Sequence, residues 1–250
     1  PTPAFLPILR QVTTVNLIVV LALPFLACSA KILFNSIKEK IRTRDIFLAI
    51  LIFIIGSSPQ LIINFLQTGK LIFYGYENEG FYFYNPEFID FLFSYRKGWL
   101  VYTPFMLLLI PASIILYRRS RFEFFSFIGF LVLLIYIFSA WWNWFYGDSF
   151  GMRPMVDYYS LFFLVIAIFI YSIKKSWQWV IIFVFTGITI SLNLIQTIQY
   201  SKGIIHPDSM NKEAYWKIFL KPSDKYAGII AAGNESFYGK LEEEPFFHTM

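Results

Sequence analysis

Residues 122–142 read FEFFSFIGFLVLLIYIFSAWW, an apolar run interrupted by one charged side chain, Glu123. A helix needs about 20 apolar residues to cross about 30 Å of hydrocarbon, so this run is long enough to span a bilayer. Within lipid, a single segment can satisfy all of its own backbone hydrogen bonds only as a helix. The run therefore predicts a transmembrane α-helix.

Comparable apolar runs lie on both sides of it. They are Val12–Phe34, Ile46–Leu66, Trp99–Tyr117, Met155–Ile173 and Trp177–Ile198. The chain is accordingly predicted to be an all-α, polytopic transmembrane helical bundle of about six spans over residues 1–200. Residues 201–250 are predicted to form a small non-cytoplasmic C-terminal segment. Kinks are expected near Pro59 in the second run and at Pro104 and Pro111 in the third, where neighbouring helices would satisfy the freed carbonyls.

The composition supports a membrane protein rather than a soluble one. Hydrophobic residues make up 57% of the chain and charged residues 15%, whereas soluble domains carry roughly 25% charged residues. The net charge of +5 is divided into short clusters between apolar runs, which indicates membrane topology and excludes nucleic acid as a partner. With a single cysteine and two histidines, no metal site and no cofactor are predicted.

The basic clusters predict the orientation. Three loops are rich in cations: Lys31, Lys38, Lys40, Arg42 and Arg44; Arg118, Arg119 and Arg121; and Lys174 and Lys175. By the positive-inside rule these loops face the cytoplasm, and both ends of the chain lie on the opposite side. An N-terminus outside the cytoplasm without a signal sequence leads us to expect further spans upstream of Pro1.

Two adjacent cations, Arg96 and Lys97, precede the third run on the non-cytoplasmic side. Cations at a helix N-terminus oppose the helix dipole unless an anion lies between them and the free amides, and a phosphate would serve. The alternative is that both side chains reach ordinary lipid headgroups.

The loop at residues 141–157, WWNWFYGDSFGMRPMVD, is the most informative polar stretch. Arg153 and Asp157 are spaced i, i+4 and could form an ion pair. Asp157 would lie about one turn inside the membrane boundary, where an ionisable group is costly and usually functional. A purely structural ion pair that fixes the loop remains the alternative, and Asp148 is a further acidic candidate.

The last two polar regions can also be explained by purely structural roles. His206 and Asp208 follow the final run and could act in acid–base chemistry, although Asp208 or Ser209 could equally cap a short helix that carries Tyr215 and Trp216. Aromatic residues crowd the segment between Lys70 and Arg96. Such rings stack on sugars, but they also form the aromatic belt of any membrane protein.

Several of these stretches resemble a known group of proteins. The segment Arg96–Pro104, the loop at 141–157 and the segment Gly203–Trp216 are similar to glycosyltransferase-like bacterial membrane proteins that are common in Bacteroidota. These look related to the GT-C superfamily, which includes protein mannosyltransferases and the aminoarabinose transferases of lipid A. The opening Arg10–Asn16 resembles a segment that begins a middle helix in such proteins, with Val12 in place of a proline.

The resemblance implies a place in the bacterial inner membrane, with both ends of this chain periplasmic. It implies inverting sugar transfer from a polyprenyl-phosphate donor at the periplasmic face, and this chain would be the C-terminal half of the architecture. Arg96, Lys97 and Arg153 would bind the donor phosphate. The supporting residues would be Asp148, Asp157, His206 and Asp208, while the catalytic base is not assigned. Partners would be the lipid-linked sugar and membrane lipid.

Two other function classes were weighed. A non-catalytic membrane subunit of an envelope or secretion assembly would keep this architecture in order to bind a protein partner or lipid. Such a subunit needs neither a cavity nor a base, and it should expose a large apolar surface. A transporter usually has ionisable residues near the bilayer midplane. The corresponding stretches of this sequence are almost purely apolar, so a transporter is less consistent with it.

Overall fold

A computed structural model of the chain describes residue 35 and residues 42–71, 79–147, 149–207 and 210–228. The protein is mostly helical, at 71%, and these ranges contain no strand, so the predicted all-α class is confirmed. The predicted first span, Val12–Phe34, and the opening stretch Arg10–Asn16 lie outside the described residues.

The helices follow one another with short connections. In chain order they are α1 (Thr43–Thr68), α2 (Phe88–Phe93), α3 (Trp99–Tyr102), α4 (Leu109–Arg119), α5 (Arg121–Ala140), α6 (Arg153–Val156), α7 (Tyr159–Tyr171), α8 (Ser176–Ser201) and α9 (Lys212–Ile218). Among the described residues, α1, α5 and α8 are long and apolar enough to cross a membrane. This is compatible with a membrane protein, but the predicted bundle of six spans is not confirmed.

The predicted third span is divided into three pieces. Helix α3 ends before Thr103, whose φ of −135° and ψ of 62° are not helical, and a 3-10 turn at Pro104–Leu108 then leads into α4. The expected kink at Pro104 is therefore a complete break. Pro111 causes none, because it lies in the first turn of α4, where the amide N–H would have no helical partner.

The predicted fifth span is also broken. It forms the four-residue helix α6, a turn at Asp157 and Tyr158, and then the 13-residue helix α7. At 1.5 Å per residue, α7 is about 20 Å long. That is too short to cross about 30 Å of hydrocarbon unaided.

Helix α1 continues through Pro59 and satisfies its own backbone. Proline lacks the amide that would bond to the carbonyl of Ile55, and the Ser58 hydroxyl donates to that carbonyl instead, at 2.8 Å. Among the described residues, this carbonyl is therefore satisfied from within α1. At its C-terminus, Gly69 has a positive φ of 73° and its amide donates to the carbonyl of Phe65. None of the most apolar window of α1 is buried.

The other helices share a packed core. Helix α4 packs against α5 and α7, α2 packs against α3 and α5, and the 3-10 turn contacts α8. Buried side chains on facing surfaces include Ala112, Leu116, Phe127, Leu134, Phe162 and Val165. At the start of α5, buried Glu123 lies 3.5 Å from Nε of Arg119. These contacts fix the frame on which the polar loops are mounted.

Candidate functional site

A tight turn at residues 94–98 places the two predicted phosphate ligands, Arg96 and Lys97. The amide of Gly98 donates to the carbonyl of Ser94 at 2.7 Å, and the amide of Arg96 donates to the Ser94 hydroxyl at 3.1 Å. A Cβ at Gly98 would lie 2.5 Å from the backbone nitrogen of Ser94. Only glycine fits this close approach, so the sequence Arg96-Lys97-Gly98 is needed as a unit.

Lys97 is buried, with 2% of its surface exposed. Its ammonium donates hydrogen bonds to the carbonyl of Gly147 and, at 3.2 Å, to the hydroxyl of Ser149. Gly147 and the preceding Tyr146 both have positive φ values, 59° and 56°, so this is a sharply turned loop. A buried cation must be paired or hydrogen-bonded, and here it holds the loop in place.

Arg96 is half-buried beside the same loop. The centre of its guanidinium lies 3.5 Å from the centroid of the Phe145 ring, close enough for a cation–π interaction. Arg96 and Lys97 therefore both contact the loop that follows α5. The structure brings together two stretches that the sequence singled out separately.

The C-terminal segment joins this arrangement through aromatic rings. We define the aromatic platform as Tyr95, Tyr102, Phe150, Tyr215 and Trp216. The rings of Tyr95 and Tyr215 are 5.1 Å apart, and those of Tyr102 and Phe150 are 5.7 Å apart. The hydroxyl of Tyr102 donates to the carbonyl of Tyr95 at 2.7 Å. Three of the polar regions predicted from sequence thus meet at one surface.

Amide side chains of α8 hold the C-terminal segment. Nε2 of Gln196 donates to the hydroxyl of Tyr215 at 2.9 Å. Nε2 of Gln199 donates to the carbonyls of Ile218 at 2.6 Å and Lys221 at 3.2 Å. Burial raises the pKa of the Tyr215 phenol, and the bond from Gln196 opposes that rise. The phenol therefore stays neutral at physiological pH.

These amides were missed by the sequence reasoning, which treated residues 177–198 as a simple apolar span. The available signal was their spacing: Asn193, Gln196 and Gln199 recur every three residues and so share one helix face. Asn193 completes the set, since its Nδ2 donates to the carbonyl of Tyr102 at 3.0 Å. Polar residues at helical spacing near the end of an apolar run predict a packed face.

Arg153 and Asp157 occupy a different position. Both are exposed, and within the described ranges no ion pair joins them. Helix α6 ends at Val156, and Tyr158 has a φ of −102° and a ψ of 1°. Asp157 itself keeps helical dihedrals, with a φ of −60° and a ψ of −22°, so the backbone leaves the two residues one turn apart although they form no ion pair in the described part of the chain. Of the three predicted phosphate ligands, Arg153 is exposed, Arg96 half-buried and Lys97 enclosed.

The remaining predicted site residues add little to the described site. His206 is half-buried between α8 and α9, while Asp148 and Asp208 lie outside the described residues. The predicted cap at Asp208 or Ser209 is wrong: Asn211 caps α9, its Oδ1 accepting from the amide of Ala214 at 2.9 Å. The described residues contain no group of three or more metal-ligating side chains.

The aromatic rings before the platform pack mainly on one another. The rings of Phe81 and Phe83 stack at 5.2 Å, and Phe83 packs on Tyr136 of α5 at 5.5 Å. Phe81 also contacts Trp141 at 4.7 Å. This packing favours a structural role for the described part of the aromatic segment.

Comparison with known proteins finds no matching family model, no matching curated protein and no matching solved structure.

Proposed function

We propose that this chain is a membrane glycosyltransferase-like protein of the GT-C type, which transfers a sugar from a polyprenyl-phosphate donor. The observation that carries the proposal is an exposed cation, Arg153, next to an exposed carboxylate, Asp157, on a loop fixed against the aromatic platform. The loop is held at Phe150, whose ring lies 5.7 Å from the ring of Tyr102. An accessible arginine on a rigid support suits recognition of a phosphate.

The reaction is an inverting displacement. The acceptor hydroxyl oxygen attacks the anomeric carbon, the bond from that carbon to the phosphate oxygen breaks, and the polyprenyl phosphate leaves with the bonding electrons. The acceptor proton passes to a base that is not assigned among these residues. Arg153 stabilises the charge that develops on the leaving phosphate, and Asp157 orients the arginine or the sugar.

Lys97 and Arg96 act as positioning residues in this proposal. Lys97 donates to the loop carbonyl of Gly147 and is not accessible to a ligand. Its cation keeps the loop that leads to Arg153 in one conformation. This differs from the expectation that all three cations contact the donor phosphate directly.

The proposed location is the bacterial inner membrane, with the aromatic platform on the periplasmic side. Helices α5 and α8 begin beside Arg121 and Lys175, and both end towards the platform. The positive-inside rule favours a cytoplasmic location for the basic ends. The platform, Arg153 and the C-terminal segment then face the periplasm, where lipid-linked sugars are used.

A second candidate is a non-catalytic membrane subunit that binds a protein partner. Two observations favour it: the burial of Lys97 closes the centre of the site, and α1 exposes apolar side chains around its circumference, including Phe47, Ile52 and Phe53. Large exposed apolar surfaces mark interfaces with lipid or protein. Because lipid alone would also cover α1, the enzyme remains the leading proposal.

The test is a transfer assay with Arg153→Ala and a matched control, Lys212→Ala, which removes another exposed cation, this time at the start of α9. Purified protein is supplied with polyprenyl-phosphate hexoses and pentoses, and release of polyprenyl phosphate is measured. We expect Arg153→Ala to lower the rate by about 10²-fold or more, with an unchanged unfolding temperature, and Lys212→Ala to retain activity. Full activity in Arg153→Ala would contradict the assignment. Absence of transfer by the wild type, together with capture of a defined membrane partner, would favour the subunit.

A further inference from the structure

A groove lies where the end of α7 meets the start of α8. Its volume is about 380 Å³, and its lining is almost entirely apolar. The lining side chains include Leu107, Pro111, Phe169, Ile173, Trp177 and Ile181. Water gains little in such a space because it finds few hydrogen-bond partners.

The groove lies between two helices of very different length. Helix α8 has 26 residues and is about 39 Å long, whereas α7 has 13 residues and is about 20 Å long. The 3-10 turn before α4 contributes Leu107 and Leu108 to the same lining. In a bilayer, lipid fills a gap of this kind beside a helix.

Two cations mark the mouth of the groove. Ile173 and Trp177 both line it, and the chain between them is Lys174-Lys175-Ser176. Lys174 and Lys175 are exposed, and the chain from 161 to 186 contains no acidic residue. The site therefore combines an apolar groove with two adjacent, exposed positive charges at one end.

We propose that this groove binds an anionic phospholipid, with one acyl chain in the groove and the headgroup phosphate at Lys174 and Lys175. The proposal rests on the membrane placement in the proposed function, but it concerns the opposite leaflet from the donor site. The Trp177 indole suits the boundary between acyl chain and headgroup, because it has an apolar body and a polar N–H. Paired lysines next to a membrane helix attract anionic headgroups.

The charge and the shape of the groove favour an anionic phospholipid over other occupants. A neutral phospholipid would fill the groove equally well but would gain nothing from the lysine pair. A protein helix would need a wider apolar surface than one groove. An anionic lipid uses both features at once, and the described structure offers both within the segment that runs from Phe169 to Ile181.

The experiment uses the full chain in nanodiscs that contain equal amounts of phosphatidylglycerol and phosphatidylcholine, followed by native mass spectrometry of the lipid retained after detergent release. Three variants are compared: Lys174→Gln with Lys175→Gln, Ile181→Trp to fill the groove, and the control Arg118→Gln with Arg121→Gln. The control removes two cations from another predicted cytoplasmic loop.

We expect the wild type to retain phosphatidylglycerol preferentially, and the lysine variant to lose that preference by about tenfold. Ile181→Trp should retain less of either lipid, and the arginine control should match the wild type. Equal losses in the control, no loss in the lysine variant, or unchanged retention in Ile181→Trp would each overturn the groove site.

Transfer activity is measured on the same nanodiscs. Lipid preference without transfer would overturn the proposed enzyme and leave the groove site standing, whereas transfer without lipid preference would do the reverse. A chain that fails to enter nanodiscs would overturn both.

Discussion

Helix α1 and the aromatic platform satisfy their polar groups in opposite ways. Among the described residues, the side-chain hydrogen bonds of α1 join positions at most seven apart, as from Asn64 to the carbonyl of Leu71. At the platform, Lys97 reaches 50 residues along the chain, and Trp216 reaches 121 residues to the hydroxyl of Tyr95. Local bonds survive when the rest of the molecule is disturbed, but long-range bonds form only together. The same substitution should therefore cost much more at the platform than in α1.

Replacing one glycine in each region should give the largest difference in the free energy of unfolding. Gly98→Ala would place a Cβ within 2.5 to 2.7 Å of backbone atoms of Phe93 and Ser94, which cannot rotate away. We expect a loss of about 3 kcal/mol in the free energy of unfolding. Gly56→Ala in α1 meets no atom within 4 Å and should gain up to about 1 kcal/mol from helix propensity. Denaturant titration in detergent measures both, and similar values at the two sites would refute the contrast.

Replacing one lysine in each region should give the second largest difference in stability. Lys97→Ala removes the donor to the Gly147 carbonyl and leaves that buried loop without its cation. A buried hydrogen bond from a charged donor is worth about 2 kcal/mol, so we expect a loss near that size. Lys70→Ala, just beyond α1, changes an exposed side chain and should have almost no effect. Thermal unfolding followed by tryptophan fluorescence provides the comparison. A stable Lys97→Ala protein with an ordered loop would show that the cation is dispensable.

A pair of glutamines should give the smallest difference. Gln199→Leu removes the side-chain donor to the carbonyls of Ile218 and Lys221, and only Ile218 keeps another donor, the amide of Lys221, so we expect a cost of about 1.5 kcal/mol. Because the loss falls on the contact that holds α9, limited proteolysis should cut the C-terminal segment several times faster. Gln60→Leu breaks only the bond to Asn64 within α1, so cleavage after α9 should not change. Equal protection of the C-terminal segment in both variants would mean that Gln199 does not anchor it.

The sequence was most informative where hydropathy alone determines structure. The run 122–142 became α5 at Arg121–Ala140, and the run 177–198 became α8 at Ser176–Ser201. In both cases a long apolar stretch without proline can only continue as a helix. The runs around Pro104 and Asp157 were equally apolar overall, but each is broken, because the break depends on one local backbone geometry that a hydropathy average does not contain.

The sequence predicted which regions form the site, but not the contacts of individual residues. Residues 96–104, 141–157 and 203–216 were identified as polar segments on one side, and the structure brings them together around Tyr102. The role of Lys97 could not be foreseen, because its contacts come from a loop 50 residues away. Sequence spacing within a helix does reveal shared faces, as Gln196 and Gln199 show, but contacts between distant loops depend on tertiary packing.

The hydroxyl of Ser58 has a consequence for biosynthesis. A proline in a nascent membrane segment normally leaves a bare carbonyl, which is costly in lipid until another helix arrives. In α1 the bond from Ser58 to Ile55 closes that gap within one turn, and Gly69 closes the C-terminal end. In the membrane placement proposed above, such a segment can leave the translocon and wait in the bilayer on its own, whereas the later helices, whose bonds are mutual, assemble after synthesis has reached α9.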